Sequence, residues 1–204
     1  MTARIHRSFD FQAGVHYSDS FYMNQYDFDV EFTVESDSIR EQNIALSRIK
    51  YFLHDCLEHS IFVQDTEINA IEKYTEANIK VCVVPEEPYD QIICIMLMEK
   101  LNAISEGRLI ITDIALCSKM SDGVSCLYNV EENNGPFKLP GWWSDSSTKT
   151  SNLLTNSKNK KILKLVKPVV DWSDLFLSWE EKSDTPKQTA SAEIVFGQFD
   201  NKNK

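Results

Sequence analysis

Tyr26-Asp27-Phe28-Asp29-Val30-Glu31-Phe32-Thr33-Val34 alternates apolar and polar side chains without interruption. A period of two sends Tyr26, Phe28, Val30, Phe32 and Val34 to one face and Asp27, Asp29 and Glu31 to the other, as in a strand with one buried face. Upstream, Ile5, Arg7, Phe9, Phe11 and Ala13 alternate with His6, Ser8, Asp10 and Gln12, which predicts a partner strand. Downstream, Ser38 caps a helix over about residues 39–59, with Glu41 as its capping-box partner. Ile44, Ala45, Ile49, Phe52, Leu53, Cys56 and Leu57 form the apolar stripe of that helix.

Residues 60–87 are expected to hold a short helical turn near 68–74 and a strand near 79–84. Pro88 opens a second helix over 89–104, apolar nearly all round and therefore buried. Proline suits a first helical turn, where its missing N–H has no partner. Strands at 108–119 and 123–131 follow, joined by a turn at Ser121-Asp122-Gly123. The order strand, strand, helix, (strand), helix, strand, strand is α+β, an antiparallel sheet with two helices on one face.

The chain has 204 residues, 42% hydrophobic and 25% charged, which is ordinary for a globular protein and too apolar for a disordered one. Twenty-one Lys and Arg stand against 31 Asp and Glu, a net charge of −10, which argues against nucleic acid as a partner. The charge is uneven, −13 over residues 1–134 and +3 over 135–204. A boundary is expected near Asn133-Asn134-Gly135-Pro136: a domain over 1–134, and a C-terminal extension over 135–204 docked on the domain or on a neighbouring subunit. Residues 144–161, rich in Ser, Thr, Asn and Lys, read as a loop.

Lys149, Lys158, Lys160, Lys161, Lys164 and Lys167 have no acid among them and suit a segment that lies on the chain's own acidic domain or on a sister subunit. Trp142-Trp143, and Trp172 with Leu175, Phe176, Leu177 and Trp179, either pack on their own domain or mark a contact surface. Ile194-Val195-Phe196 is a candidate strand to add to a sheet edge. Five cysteines without a CxxC sit mostly in apolar runs, as free thiols of a reducing compartment do. No apolar stretch follows the first residues, and the run from Ile92 to Met98 is too short to span a bilayer, so a cytoplasmic protein without a membrane partner is expected.

The order of elements resembles the tunnelling fold of 6-pyruvoyl tetrahydropterin synthase and 6-carboxytetrahydropterin synthase, over about residues 4–131. The family's first strand ends F-S-A-x-H, and here Phe11-Gln12-Ala13-Gly14-Val15-His16 occurs. Asn24-Gln25-Tyr26-Asp27-Phe28-Asp29-Val30-Glu31-Phe32 lies in the register of H-G-H-N-Y-x-V-E-V, and Leu57-Glu58-His59 in that of L-D-H. Pro88-Tyr89-Asp90-Gln91-Ile92 takes the place of P-T-x-E-N, and Ile114-Ala115-Leu116-Cys117-Ser118 that of V-x-V-x-E.

The resemblance implies a homo-oligomer, a pterin pocket and a zinc held by three histidines. It places Tyr89, Gln91 and Ser118 at the ligand. It leaves His16 as the only retained metal position, since Asn24 and Tyr26 stand where two imidazoles belong, and an amide and a phenol are poor substitutes. No cysteine nucleophile occurs between 17 and 23, and Ser118 replaces the pterin-gripping Glu. A protein without zinc and without the family's lyase route is therefore expected.

Glu58 and His59 are the candidate catalytic pair, since an adjacent carboxylate orients an imidazole for proton transfer; the alternative is a helix-terminal His meeting the last carbonyls. The H-x-C-x-E-H of His54, Cys56, Glu58 and His59 does not converge on one helical face and suits no metal. Two classes of function remain: a diverged enzyme or binder of a planar pterin- or purine-like heterocycle, and a non-catalytic assembly protein on the same scaffold.

Overall fold

β1 (Ala3–Tyr17) and β2 (Ser20–Val34) pair antiparallel along their whole length, from Ala3 opposite Val34 to Tyr17 opposite Ser20. The computed structural model describes residues 3–18, 20–132, 134–152 and 169–180. Ile194-Val195-Phe196, the lysines from Lys158 to Lys167 and Asn133 lie outside the described residues. Both strands run further than their alternation predicts. At Gly14 a Cβ would fall 2.3 Å from the Phe21 ring, so only glycine lets that ring cross β1. Across the pair, Phe9 stacks on Phe28 at 5.5 Å and Phe11 on Tyr26 at 4.9 Å, on the face that becomes the core.

The sheet has six strands in the order β4-β3-β1-β2-β5-β6. β5 (Leu109–Ser118) pairs antiparallel with β2, and β6 (Ser125–Asn129) with β5. β3 (Ile61–Gln64) lies parallel to β1, and β4 (Val81–Val84) parallel to β3, so the sheet is mixed rather than wholly antiparallel. The cause is α2 (Ile68–Glu76), a crossover between β3 and β4, and such a connection brings the next strand in parallel. β3 escapes prediction because Ile61, Phe62 and Val63 are all buried, which erases the alternation that marks a strand.

α1 (Ile39–Tyr51) and α3 (Asp90–Ser105) pack on the face bearing Phe11, Tyr26 and Phe28. α2 packs on the other face, over β3 and β4, in a separate cluster of Ile61, Val63, Ala70, Ile71 and Val83. Ser38 caps α1 as expected, accepting from the Glu41 N–H. The reciprocal half of the capping box is not made, because Glu41 instead accepts from the Ser36 hydroxyl at 2.7 Å. Nor does α1 continue to 59. A π-helical turn (Phe52–Leu57) follows it, closed by Glu58 N–H donating to Leu53 O at 2.8 Å. The extra residue in this turn lets Phe52, Leu53 and Leu57 all reach the core.

The core does not stop at Asn134. Phe137, Trp142, Trp143 and Trp172 belong to the main cluster, with Trp142 only 2% exposed. Trp142 Nε1 donates to Val83 O at 2.7 Å, and Val83 N–H donates to Thr150 O at 2.9 Å, so residues 142–150 run along the outer edge of β4. Thr148 and Ser151 are buried, although composition reads this stretch as a loop. From below, Lys100 of α3, fully buried, donates to Trp142 O at 2.8 Å and Asp145 O at 2.6 Å. Arg48 of α1 donates to Leu177 O at 2.8 Å, with its guanidinium 4.9 Å from the Trp172 ring and 3.8 Å from the Trp179 ring. Trp142, Trp143 and Trp172 thus pack on their own chain. No helix among the described residues is long and apolar enough to cross a membrane.

Candidate functional site

Where α3 begins, its first residues face the far end of the β1–β2 pair and the β5–β6 connection across a cleft of about 610 Å³. Pro88 fixes the entry into α3. Tyr89 sits at the N-cap without a capping bond, which leaves its ring to stack on Tyr17 of β1 at 5.5 Å. Tyr17 hydroxyl donates to Pro88 O at 2.8 Å, and Tyr89 hydroxyl donates to Glu87. Asp90, the first residue of α3, has its carboxylate where the helix dipole favours negative charge, and Oδ2 accepts from the buried Ser118 hydroxyl at 2.6 Å. Gln91, Asn24, Met120, Ser121 and Cys126 complete the walls.

The cleft carries the carboxylates Glu87 and Asp90, and among the described residues no Lys, Arg or His lines it. Burial, and then the fields of Asp90, Tyr89 and Glu87, push the Tyr17 phenol up to about 12, so it stays a neutral donor. Burial, then Asp90 and Cys117, raise the Cys126 thiol, which disfavours the thiolate a nucleophile needs. An acidic cleft walled by stacked phenols is suited to a flat, electron-poor ring that offers N–H donors.

Tyr89 and Gln91 therefore line one cleft, and Ser118 reaches it through Asp90. Asp90 and Tyr17 are not among the residues the motifs single out. Asp90 had a signal in the sequence, an acid in the first turn of a helix; Tyr17 had none, because only strand pairing brings it against Tyr89. Glu58 and His59 stand elsewhere and do not line the cleft. Glu58 Oε2 accepts from Gln12 N–H at 3.1 Å, and Glu58 O accepts from Lys80 Nζ at 2.6 Å. His59 has φ 58° and donates its N–H to Gln12 O at 2.7 Å, while its ring nitrogen lies 3.8 Å from Glu58. The pair ties the end of the π-helical turn to β1.

The three metal positions do not converge. Ala13 opposes Asn24 and Phe11 opposes Tyr26 on the core face, whereas His16 opposes Phe21 on the other face and lies 3.0 Å from the Tyr74 hydroxyl of α2. Aligned on Phe11, the F-S-A-x-H pattern ends at Val15, one residue before His16. Asn24 Oδ1 already accepts from Gln25 N–H at 3.0 Å and Met120 N–H at 3.2 Å, so it holds the β5–β6 connection. The Tyr26 phenol is sealed in the core and burial pushes it well up, with Asn24 acting in the opposite sense. These residues do not fit a zinc ion, and among the described residues no three His, Cys, Asp or Glu gather to hold a metal.

No family model and no curated protein matches the chain. Solved structures do. An uncharacterized protein from Wolinella succinogenes matches with a TM-score of 0.48 and 12% identity, over 64% of this chain and 99% of that one. The 6-pyruvoyl tetrahydropterin synthase of Caenorhabditis elegans matches with a TM-score of 0.41 and 12% identity, over 63% and 96%. The chain is also similar to a Plasmodium vivax 6-pyruvoyltetrahydropterin synthase, with a TM-score of 0.43 and 9% identity over 64% of this chain and 99% of that one.

Proposed function

We propose that the protein is a diverged 6-pyruvoyl tetrahydropterin synthase-like binder of a planar pterin- or purine-like heterocycle, working without zinc and without the family's lyase route. The observation that carries the reading is the Asp90 carboxylate, fixed by Ser118 beside the Tyr17–Tyr89 stack. A carboxylate accepts the paired N–H groups of an aminopyrimidinone, and charge-assisted bonds of that kind are about twice as strong as neutral ones. Asp90 supplies from the start of α3 what the family's Glu supplies from the last hairpin, and Ser118, standing at the Glu position, holds it in place. The five cysteines are free, which suits a cytoplasmic protein.

Titration of the full chain with neopterin and with guanosine, followed by pterin fluorescence and calorimetry, tests the reading. Binding of either is expected, with Asp90→Asn weakening it at least tenfold and Ser118→Ala weakening it less. Loss of one charged hydrogen bond of about 1.5–3 kcal/mol sets that scale. No binding of either compound at millimolar concentration would overturn the proposal.

Metal analysis of protein purified without chelator is expected to find no stoichiometric zinc, and dihydroneopterin triphosphate is expected not to turn over. One zinc per chain, lost on substituting His16 or Asn24, would refute the first expectation, and turnover of that substrate the second.

A second reading, a homo-oligomeric assembly role, is favoured by β6. It is the last strand of the sheet, and Val124, Leu127 and Val130 in and around it are exposed. An open apolar strand edge invites pairing with another copy. The β4 edge is taken by the chain's own residues 142–150.

A further inference from the structure

The cleft at the start of α3 is negative as well as aromatic. Glu87 and Asp90 stand on either side of Tyr89 in the chain, and both line the cleft. Each carboxylate is held: Asp90 by the Ser118 hydroxyl at 2.6 Å, Glu87 by the Tyr89 hydroxyl. Tyr17 stacks on Tyr89 at 5.5 Å, and Tyr22 of β2 lies 6.2 Å from Tyr17, so the aromatic wall continues to the tip of the β1–β2 pair. Tyr89 is 54% and Tyr22 44% exposed, which leaves ring surface open to a ligand. After burial, the fields acting on the Tyr17 phenol come from Asp90, Tyr89 and Glu87, and those on the Cys126 thiol from Asp90 and Cys117. All of these are acids, in a part of the chain that carries −13 over residues 1–134. A cleft with low-dielectric walls concentrates such a field.

We propose that the ring this cleft takes is cationic: an N-alkylated purine- or pterin-like heterocycle with a fixed positive charge and no phosphate. The proposal rests on the heterocycle-binding reading above and names the charge of its ligand. A neutral aminopyrimidinone needs one carboxylate for its paired N–H groups, and Asp90 supplies it. Glu87 is then a second negative charge, and covering it with a neutral ring would strip its water without a counter-charge, which is costly. A positively charged ring uses both groups: Asp90 accepts the N–H pair, and the ring's charge lies between the Tyr89 face and Glu87. The quadrupole of a phenol face attracts a cation, most strongly where water is excluded. A phosphate brings a charge of about −2 and would meet Glu87 and Asp90 as a like charge.

The test is calorimetry on the full chain with guanosine, 7-methylguanosine and guanosine monophosphate, at about pH 6, where carboxylates are ionised and the methylated ring keeps its N–H. The first two ligands share their N–H donors and sugar, and differ by one methyl group and one positive charge. Burial of a methyl group accounts for about fourfold in affinity. The proposal expects 7-methylguanosine to bind at least tenfold more tightly than guanosine, and guanosine monophosphate more weakly than either. Glu87→Gln, which keeps an acceptor for the Tyr89 hydroxyl, is expected to narrow the ratio of 7-methylguanosine to guanosine at least threefold. A ratio within fourfold, or one that Glu87→Gln does not change, would overturn the proposal while guanosine binding kept the heterocycle reading standing. Tighter binding of guanosine monophosphate than of guanosine would also overturn it, by showing that a cation reaches the cleft. No binding of any of the three at millimolar concentration would overturn both readings together.

Discussion

A chain ending at Asn134 is expected to be insoluble or to melt without cooperativity. The cut removes Phe137, Trp142, Trp143 and Trp172 from the main core cluster, where each is at most 8% exposed. It uncovers the outer edge of β4, now bonded to Thr150, and strips Lys100 of both its carbonyl acceptors. Loss of one buried Trp side chain costs about 3–5 kcal/mol. Four buried aromatics together exceed the ~5–15 kcal/mol by which domains of this kind are stable. In the full chain, Trp142→Ala alone should lower unfolding free energy by about 3–5 kcal/mol, measured by denaturant titration. A soluble 1–134 chain melting at the temperature of the full chain would show that the extension is a separate module.

The second large effect is expected at Lys100. Burial pulls its ammonium down to about 8, against the field of Asp145, which raises it. Cys56, Cys82 and Lys149 are the other groups acting on it. Between about 8 and 10.5 the unfolded chain holds a proton on this amine that the folded chain has released. Unfolding then takes up protons, so stability rises with pH across that window and falls as pH drops through 8. At about 1.4 kcal/mol per pH unit the full window is worth ~3 kcal/mol. The neutral amine keeps two donors, enough for Trp142 O and Asp145 O.

Lys100→Met keeps the volume and leaves those carbonyls unbonded, at about 1–3 kcal/mol each. The stability gap between wild type and Lys100→Met should therefore widen from pH 8 to 10.5. The raised phenols of Tyr17 and Tyr26 act in the opposite sense, but equally in both proteins. The buried Cys82 thiol also acts in the opposite sense, and because Lys100 pulls it down, removing Lys100 lets burial raise it further, which widens the gap in the same direction. A gap constant with pH would mean that Lys100 keeps its ordinary proton affinity and is not desolvated.

Sequence patterning goes far where one face of an element is wet. β1, β2, α1, α3, β5 and β6 all follow from period-two or helical spacing, from Ser38 as a cap and from Pro88 as a start, and their order resembles that of the tunnelling fold. Patterning fails where burial is complete. β3 is apolar throughout, and Trp142 and Trp143 look the same in a sequence whether they fill their own core or a partner's. It fails again at the end of α1, where a π-helical turn replaces the expected regular helix and Glu58 and His59 bond to Gln12 of β1. Tyr89, Gln91 and Ser118, which motif spacing singles out, stand at or beside one cleft because they follow fixed points, a helix start and a strand end.

Local order therefore lay in the sequence itself: strand alternation, the helix stripe, the cap, the acidic balance of the first 134 residues and the basic run after them. Pairing geometry decided the rest. Pairing carries β1 on to Tyr17, past the end of its sequence alternation, and along a strand that long period two turns His16 to the face opposite Phe11, away from Asn24 and Tyr26. Only the meeting of β1, β5 and the start of α3 could set Tyr17, Asp90 and Ser118 around one cleft, because contacts between residues far apart in the chain leave no periodic mark on it.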